Sequence, residues 1–183
     1  MTAARLLAAQ TEELGEERLG ELTRLCEAAF ERPFAGIWER VGPGLHLMAE
    51  EGGRIVSHAM IVDRRLYVGH EMDVALDVGY VENVATLPRA GGEGYGSAVM
   101  REVGRIIDEE YQLGALATGS QAFYGRLGWE TWTGPTSVRT ADGELVRTAD
   151  HDGHVMVLRT PRTPPGVTLD MPIAVDWRTE EPW

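Results

Sequence analysis

Apolar side chains recur at helical spacing in two stretches, Leu19, Leu22, Leu25, Cys26 and Ala29, then Val99, Val103, Ile106 and Ile107. The first stripe belongs to a helical region that opens at Thr11-Glu12-Glu13-Leu14 and is interrupted by Arg32-Pro33. Gly42-Pro43-Gly44 marks a loop. Leu45 to Ala49, Ile55 to Asp63 and Arg65 to Val68 then predict successive antiparallel strands, with Glu51-Gly52-Gly53 as the first turn and His70-Glu71 at a hairpin tip. An extended segment, Tyr80 to Thr86, runs into glycines and a helix over Gly96 to Glu110, followed by a strand over Leu113 to Thr118. Asp142-Gly143 and Asp152-Gly153 predict hairpin-type turns flanking Leu145-Val146 and His154 to Leu158. Pro161 to Pro165 reads as a linker before a last strand. No repeat or low-complexity segment breaks this order, which predicts an α+β architecture with a mixed, mostly antiparallel central sheet flanked by helices.

A chain of 183 residues is long enough to bury a full core as one domain, residues 1–183, without disulfides or metal. With 43% hydrophobic and 25% charged residues it reads as an ordinary globular protein. The net charge of −12 makes nucleic acid a poor partner, because phosphate binding needs clustered cations, and it favours a cationic ligand. No apolar run reaches membrane-spanning length, and the first residues lack a signal-peptide pattern, so a cytoplasmic protein is expected. The lone Cys26 lies on the helical stripe and reads as a core thiol. His46, His58, His70, His151 and His154 make no ligand spacing with cysteine, and no metal is expected.

The chemistry concentrates where the extended segment meets the glycines. A strand, a glycine-rich turn and a helix start make an anion site, since the first helical turn leaves N–H groups unpaired and glycines let backbone approach a phosphate. A nucleotide P-loop would need Gly-Lys-Ser/Thr, and this chain has no lysine. A dinucleotide loop would need G-x-G-x-x-G near a first strand; here Gly92-x-Gly94-x-Gly96 falls in mid-chain. A helix start that holds no ligand is the alternative. The spacing that fits is Arg89-x-x-Gly92-x-Gly94, which resembles the pyrophosphate signature of GNAT acyl-CoA-dependent N-acetyltransferases. Ser120-Gln121-Ala122-Phe123-Tyr124-Gly125-Arg126-Leu127-Gly128-Trp129 resembles that family's second hallmark, a tyrosine helix, glycine turn and strand. Gly79 to Ala85, Tyr111 to Leu116, Gly134 to Val138, Arg147 to Gly153 and the ending Asp176 to Trp183 are similar to segments of the aminoglycoside 2′-N-acetyltransferases.

That resemblance implies a GNAT fold, acetyl-CoA as co-substrate, a small cationic amine as acceptor and a homodimer. Acetylation of an aminoglycoside amine, with antibiotic resistance as the outcome, would be the activity. Val84, Ala85 and Thr86 would pair with the pantetheine arm, the Val84 N–H polarising the thioester carbonyl. Arg89, Gly91, Gly92, Glu93, Gly94, Tyr95 and Gly96 would hold the pyrophosphate. Tyr124 would protonate the departing thiolate, and Glu82 would accept the amine's proton. Strict alternation puts Glu82 on the face of Val84. Asn83, Asp150, His151, Asp152, Glu181 and the terminal Trp183 would contact the acceptor, the last through its carboxylate; a frayed tail is the alternative. The chain departs from the family at Arg32 to Ile37, which offers no carboxylate, and at His151, which replaces an aspartate. These departures favour a smaller or less cationic aminoglycoside, kasugamycin being one candidate. Another small amine, a peptide N-terminus, or a non-catalytic acyl-CoA-binding module remain the alternatives.

Overall fold

The computed structural model describes residues 5–179 and 182–183. The chain starts with an edge strand that the apolar pattern does not signal, β1 (Arg5–Gln10), whose side chains are exposed or half-buried. A short 3-10 turn leads to α1 (Glu16–Phe30) and then α2 (Ile37–Val41), a five-residue helix too short to show a period. β2 (Leu45–Glu51) turns at Gly52-Gly53 into β3 (Arg54–Val68). The expectation of two strands here is corrected: Ile55 to Val68 is one continuous strand, with Asp63-Arg64-Arg65 inside it. β4 (Val74–Thr86), α3 (Tyr95–Glu110), β5 (Leu113–Ala117), α4 (Gln121–Gly125) and β6 (Glu130–Thr131) follow. β7 (Thr136–Arg139), β8 (Leu145–Arg147), β9 (Val155–Arg159) and β10 (Ile173–Asp176) complete the fold.

The chain divides into two compact units, and β3, β4 and α3 each contribute to both. The first unit, residues 1–62 and 81–103, holds the antiparallel β1-β2-β3 ladder. Its core gathers Leu22, Leu25 and Cys26 of α1 with Trp38, Met48, Ile55, Met60 and Ala85. The free thiol Cys26 is buried there, and burial pushes its pKa up to about 12. The second unit, residues 63–80 and 104–183, carries the strand order β6-β9-β5-β4-β3-β10-β7-β8. Pairs β4·β5 and β10·β7 are parallel, whereas β10·β3, β5·β9, β6·β9 and β7·β8 are antiparallel. The sheet is therefore mixed and mostly antiparallel. Tyr80, Trp132, Leu66, Val157 and Ile173 fill its core, and Trp183 belongs to the same cluster. Gly134 cannot be replaced, since a Cβ there would stand 1.9 Å from the carbonyl oxygen of Met171. Among the described residues no helix is long and apolar enough to cross a membrane.

Candidate active site

Within the first unit, β4 changes character at Asn83, whose φ of 51° is left-handed. Such a residue in mid-strand is the conformation found at β-bulges, and asparagine tolerates it better than most. Strict alternation therefore does not carry across Asn83, and the inference that Glu82 and Val84 share one face loses its basis. Glu82, Asn83 and Val84 are all half-buried. The Oε1 atom of Glu82 is buried, and the Nδ2 of Asn83 is buried with no hydrogen-bond partner among the described residues. Beyond Asn83 the strand is held by Ser57, whose hydroxyl lies 3.1 Å from the Ala85 carbonyl oxygen and 2.8 Å from Thr86 Oγ1.

The glycine loop follows directly. A 3-10 turn at Pro88–Ala90 precedes Gly91, and α3 begins at Tyr95. Gly92 and Gly94 have φ of 80° and 89°, and no heavy atom lies within 4 Å of where a Cβ would stand on either. The backbone is thus bare and open at the head of a sixteen-residue helix, whose first N–H groups have no intrahelical acceptor. Gly91, Gly92, Glu93 and Gly94 are exposed, with Tyr95 and Gly96 half-buried. The Tyr95 hydroxyl donates to Glu51 at 2.6 Å and ties the helix start to β2. The exposed Arg89 lines a cavity of about 540 Å³ together with Arg24 and Arg54.

Within the second unit, Tyr124 sits on α4, 7% exposed, edge-on to Phe123 and Trp129 with ring centroids at 4.9 and 6.2 Å. Burial pushes its phenol up to about 12, so it stays protonated at neutral pH. Its hydroxyl makes no hydrogen bond to another described residue. The helix closes where Gly128 turns left-handed at φ 91° and the Trp129 N–H reaches back to the Tyr124 carbonyl at 3.2 Å.

The same unit brings the Asp150–Asp152 loop together with Trp183. The Trp183 indole is 5% exposed and donates to Thr148 Oγ1 at 3.0 Å, so the terminal side chain is packed, not frayed. Arg64 donates to the Pro182 carbonyl at 2.5 Å. The exposed Asp152 is held by intramolecular bonds: its carboxylate accepts from Arg147 through both oxygens and from the Thr136 N–H and hydroxyl. The Arg147 guanidinium holds it down to about 2. Asp150 is exposed and His151 half-buried. Glu180 and Glu181 lie outside the described residues. In the first unit, the carboxylate-free segment after α1 forms a stack: the Phe30 and Phe34 rings lie 5.2 Å apart and Arg32 sits over both.

Nothing local in the sequence marks His46 and His58 for any role besides metal ligation. Both residues are fully buried, with His46 Nδ1 2.9 Å from His58 Nε2 and His58 Nδ1 3.0 Å from the Asn83 carbonyl oxygen. No group of three His, Cys, Asp or Glu able to hold a metal occurs among the described residues.

The first unit thus holds a left-handed strand residue and a bare glycine loop at a helix head, and the second a buried tyrosine on a short helix. A family model described as an acetyltransferase (GNAT) domain matches residues 10–132. The aminoglycoside 2′-N-acetyltransferase of Mycolicibacterium fortuitum is 37% identical over 178 residues, covering 94% of this chain and 89% of that protein. The chain belongs to the GNAT acetyltransferase family. Among solved structures, the GNAT family N-acetyltransferase YhbS from Escherichia coli, in complex with CoA, has a TM-score of 0.67. It is 17% identical, over 97% of this chain and 92% of that one. The GCN5-related N-acetyltransferase from Kribbella flavida has a TM-score of 0.57 at 22% identity, over 73% of this chain. This chain spans about a third of that longer protein, 34% of its length. Acetyl-CoA is the co-substrate, and the open backbone at Gly92 and Gly94 fits its phosphates.

Proposed function

We propose that this protein, residues 1–183 acting as one GNAT domain, transfers the acetyl group of acetyl-CoA to an aminoglycoside amine, the 2′-amine by resemblance. The observation that carries the reading is the 37% identity to an aminoglycoside 2′-N-acetyltransferase, extending over nearly the whole chain. In the reaction the neutral amine attacks the thioester carbonyl carbon, a C–N bond forms and the C–S bond breaks. Val84 supplies an N–H to the carbonyl oxygen, and amides of Gly91 to Gly96 bind the pyrophosphate, with charge from Arg89. Glu82 takes the proton leaving the amine, and Tyr124 donates to the departing sulfur. The unpartnered Nδ2 of Asn83 supports a polar contact from that side chain to a bound ligand.

The acceptor is expected to be small and weakly charged. Arg32 and Phe34 lie in the segment, Arg32 to Ile37, where the resembling family presents acids, and a cation there disfavours a polyamine. Asp150, His151, Glu181 and the terminal carboxylate remain to bind amino groups, whereas Asp152 is already committed to Arg147. Kasugamycin is a suitable candidate; by the same resemblance the protein would be a homodimer, and the composition and lone Cys26 suit a cytoplasmic protein. The test is acetyl-CoA consumption across a panel of aminoglycosides, small amines and a peptide N-terminus, with mass spectrometry of the product. Acetylation of an aminoglycoside amine is the expected result. Turnover only with the other amines, or tight CoA binding with no turnover at all, would overturn the reading.

A further inference from the structure

We propose that His58 is a positioning residue for acetyl transfer, holding and polarising the Asn83–Val84 peptide through a directional hydrogen-bond relay that starts at Thr11. The inference rests on the acyl-transfer reading above, in which the Val84 N–H meets the thioester carbonyl.

The relay lies within the first unit. Thr11 Oγ1 is 3.0 Å from His46 Nε2, His46 Nδ1 is 2.9 Å from His58 Nε2, and His58 Nδ1 is 3.0 Å from the Asn83 carbonyl oxygen. Both rings are 0% exposed. A backbone carbonyl can only accept, so His58 Nδ1 must carry a proton. Burial disfavours a charged ring, so His58 is neutral and its Nε2 accepts from His46 Nδ1–H. With its Nδ1 donating, His46 Nε2 accepts from the Thr11 hydroxyl, which accepts from the Gly44 N–H at 3.0 Å and has the Gly44 carbonyl oxygen, also at 3.0 Å, as a second acceptor for its one proton. The two histidine bonds point the same way, toward Asn83, and one carbonyl fixes the tautomer of both rings.

What this does to the reaction follows from the peptide unit. The Asn83 carbonyl and the Val84 N–H belong to one planar trans peptide and point in opposite directions. A donor on the carbonyl therefore fixes the orientation of the N–H on the far side. It also draws electron density toward the oxygen and makes the N–H a stronger donor, as bonds in a chain do. The left-handed φ of Asn83 is unfavourable for an L residue and needs such support from its surroundings. Trp38 closes the relay from one side, its ring edge-on to His46 at 5.2 Å and to His58 at 5.7 Å, anchored by its own N–H to Thr23 at 2.9 Å.

The two amide substitutions of His58 separate this role from mere filling of the core. Asparagine places a donor near Nδ1 and can keep the bond to Asn83; glutamine reaches the Nε2 position and keeps only the contact with His46. With acetyl-CoA and an aminoglycoside panel including kasugamycin, His58→Asn is expected to retain a kcat close to wild type. His58→Gln should lose about tenfold to a hundredfold in kcat, the scale of a misplaced catalytic group, with CoA affinity and amine KM little changed. Imidazole ¹⁵N shifts of the wild-type protein, which require no mutation, should show His58 as the neutral Nδ1–H tautomer. Turnover that does not distinguish the two variants, or a His58 protonated at Nε2, overturns the proposal and leaves the acyl-transfer reading standing. A wild-type protein that acetylates nothing in the panel overturns both.

Discussion

The indole N–H of the terminal Trp183 donates to Thr148 Oγ1 at 3.0 Å, and Thr148 Oγ1 in turn lies 3.0 Å from Thr136 Oγ1. Thr136 also donates to Asp152, so the last residue of the chain is tied to the loop that carries Asp150 and His151. The ring completes the core around Tyr80 and Trp132. Deleting Pro182-Trp183 should therefore destabilise the fold by about 3–5 kcal/mol and lower Tm by roughly 10 °C. That loss would mask any effect on the amine. Residues appended after Trp183 keep the indole in place and move only the carboxylate. The extended protein is expected to melt like wild type while its amine KM rises about tenfold to a hundredfold, the loss of a charge-assisted bond. Wild-type KM in the extended protein would remove the terminal carboxylate from the acceptor site.

Bulky residues at Gly92 or Gly94 should leave the fold intact and impair only the cofactor. No protein atom lies within 4 Å of either Cβ position, so the protein itself offers no clash. The left-handed φ costs about 1–2 kcal/mol for an L residue, a modest loss of stability. Gly94→Val is expected to weaken CoA binding at least about tenfold, or roughly 1.4 kcal/mol, in calorimetry. An unchanged affinity in a folded variant would move the phosphates elsewhere.

The glycine loop was legible because its signal is local: strand, glycines and helix are contiguous, and each residue type has one steric meaning. Tyr124 was legible for the same reason. The His46–His58 relay was not, because it depends on a register that no local pattern sets. Near the turn, Glu50 pairs with Ile55 and Glu51 with Arg54; beyond it, Ala49 pairs with Ser57 and His46 with Met60. Val56 is the extra residue. Had Val56 paired with Ala49 in an unbroken ladder, His46 would stand opposite Ala59, and the two histidines would face opposite sides of it. The division of β3 at Arg64 failed on another ground. Arg64 interrupts an apolar run, yet it stacks over the Tyr80 ring at 4.7 Å and donates to Asp176 and Pro182 carbonyls. Long-range partners made a charged residue acceptable in mid-strand, and the two carbonyls lie over a hundred residues away.

The buried histidine pair should make stability fall with acid. Burial lowers His46 to about 4 and, with His46 beside it, His58 to about 3; nearby Glu12 and the Asn83 carbonyl oppose this only partly. Both folded values lie below the ordinary value of 6.5, so the unfolded chain takes up protons first as pH drops. The stabilisation is complete above about pH 6.5 and is lost progressively toward pH 3–4. At pH 5 each neutral ring costs the fold about 2 kcal/mol relative to pH 7. Urea midpoints at the two pH values should differ by more in wild type than in a His46→Gln/His58→Asn variant. Parallel pH dependences in the two proteins would show that these rings do not titrate between the folded and unfolded states.

Removing the Tyr124 hydroxyl tests the last step of the reaction. The phenol is held at about 12 by burial, whereas a thiol titrates near roughly 8.5. Complete proton transfer to a thiolate is therefore uphill, and Tyr124 acts first as a hydrogen-bond donor to sulfur as negative charge builds on it. Tyr124→Phe keeps the ring beside Phe123 and Trp129, so the melting temperature should hardly move. The fall in kcat is expected near the lower end of general-acid effects, about 10²-fold, with CoA affinity unchanged. Because the wild-type phenol stays protonated to about 12, it should impose no basic limb on the kcat profile between about pH 7 and 10. A basic limb in that range that vanishes in Tyr124→Phe would mean the phenol titrates far lower and transfers its proton outright. Single-turnover chemistry at the wild-type rate in Tyr124→Phe would instead make the residue a packing element of α4.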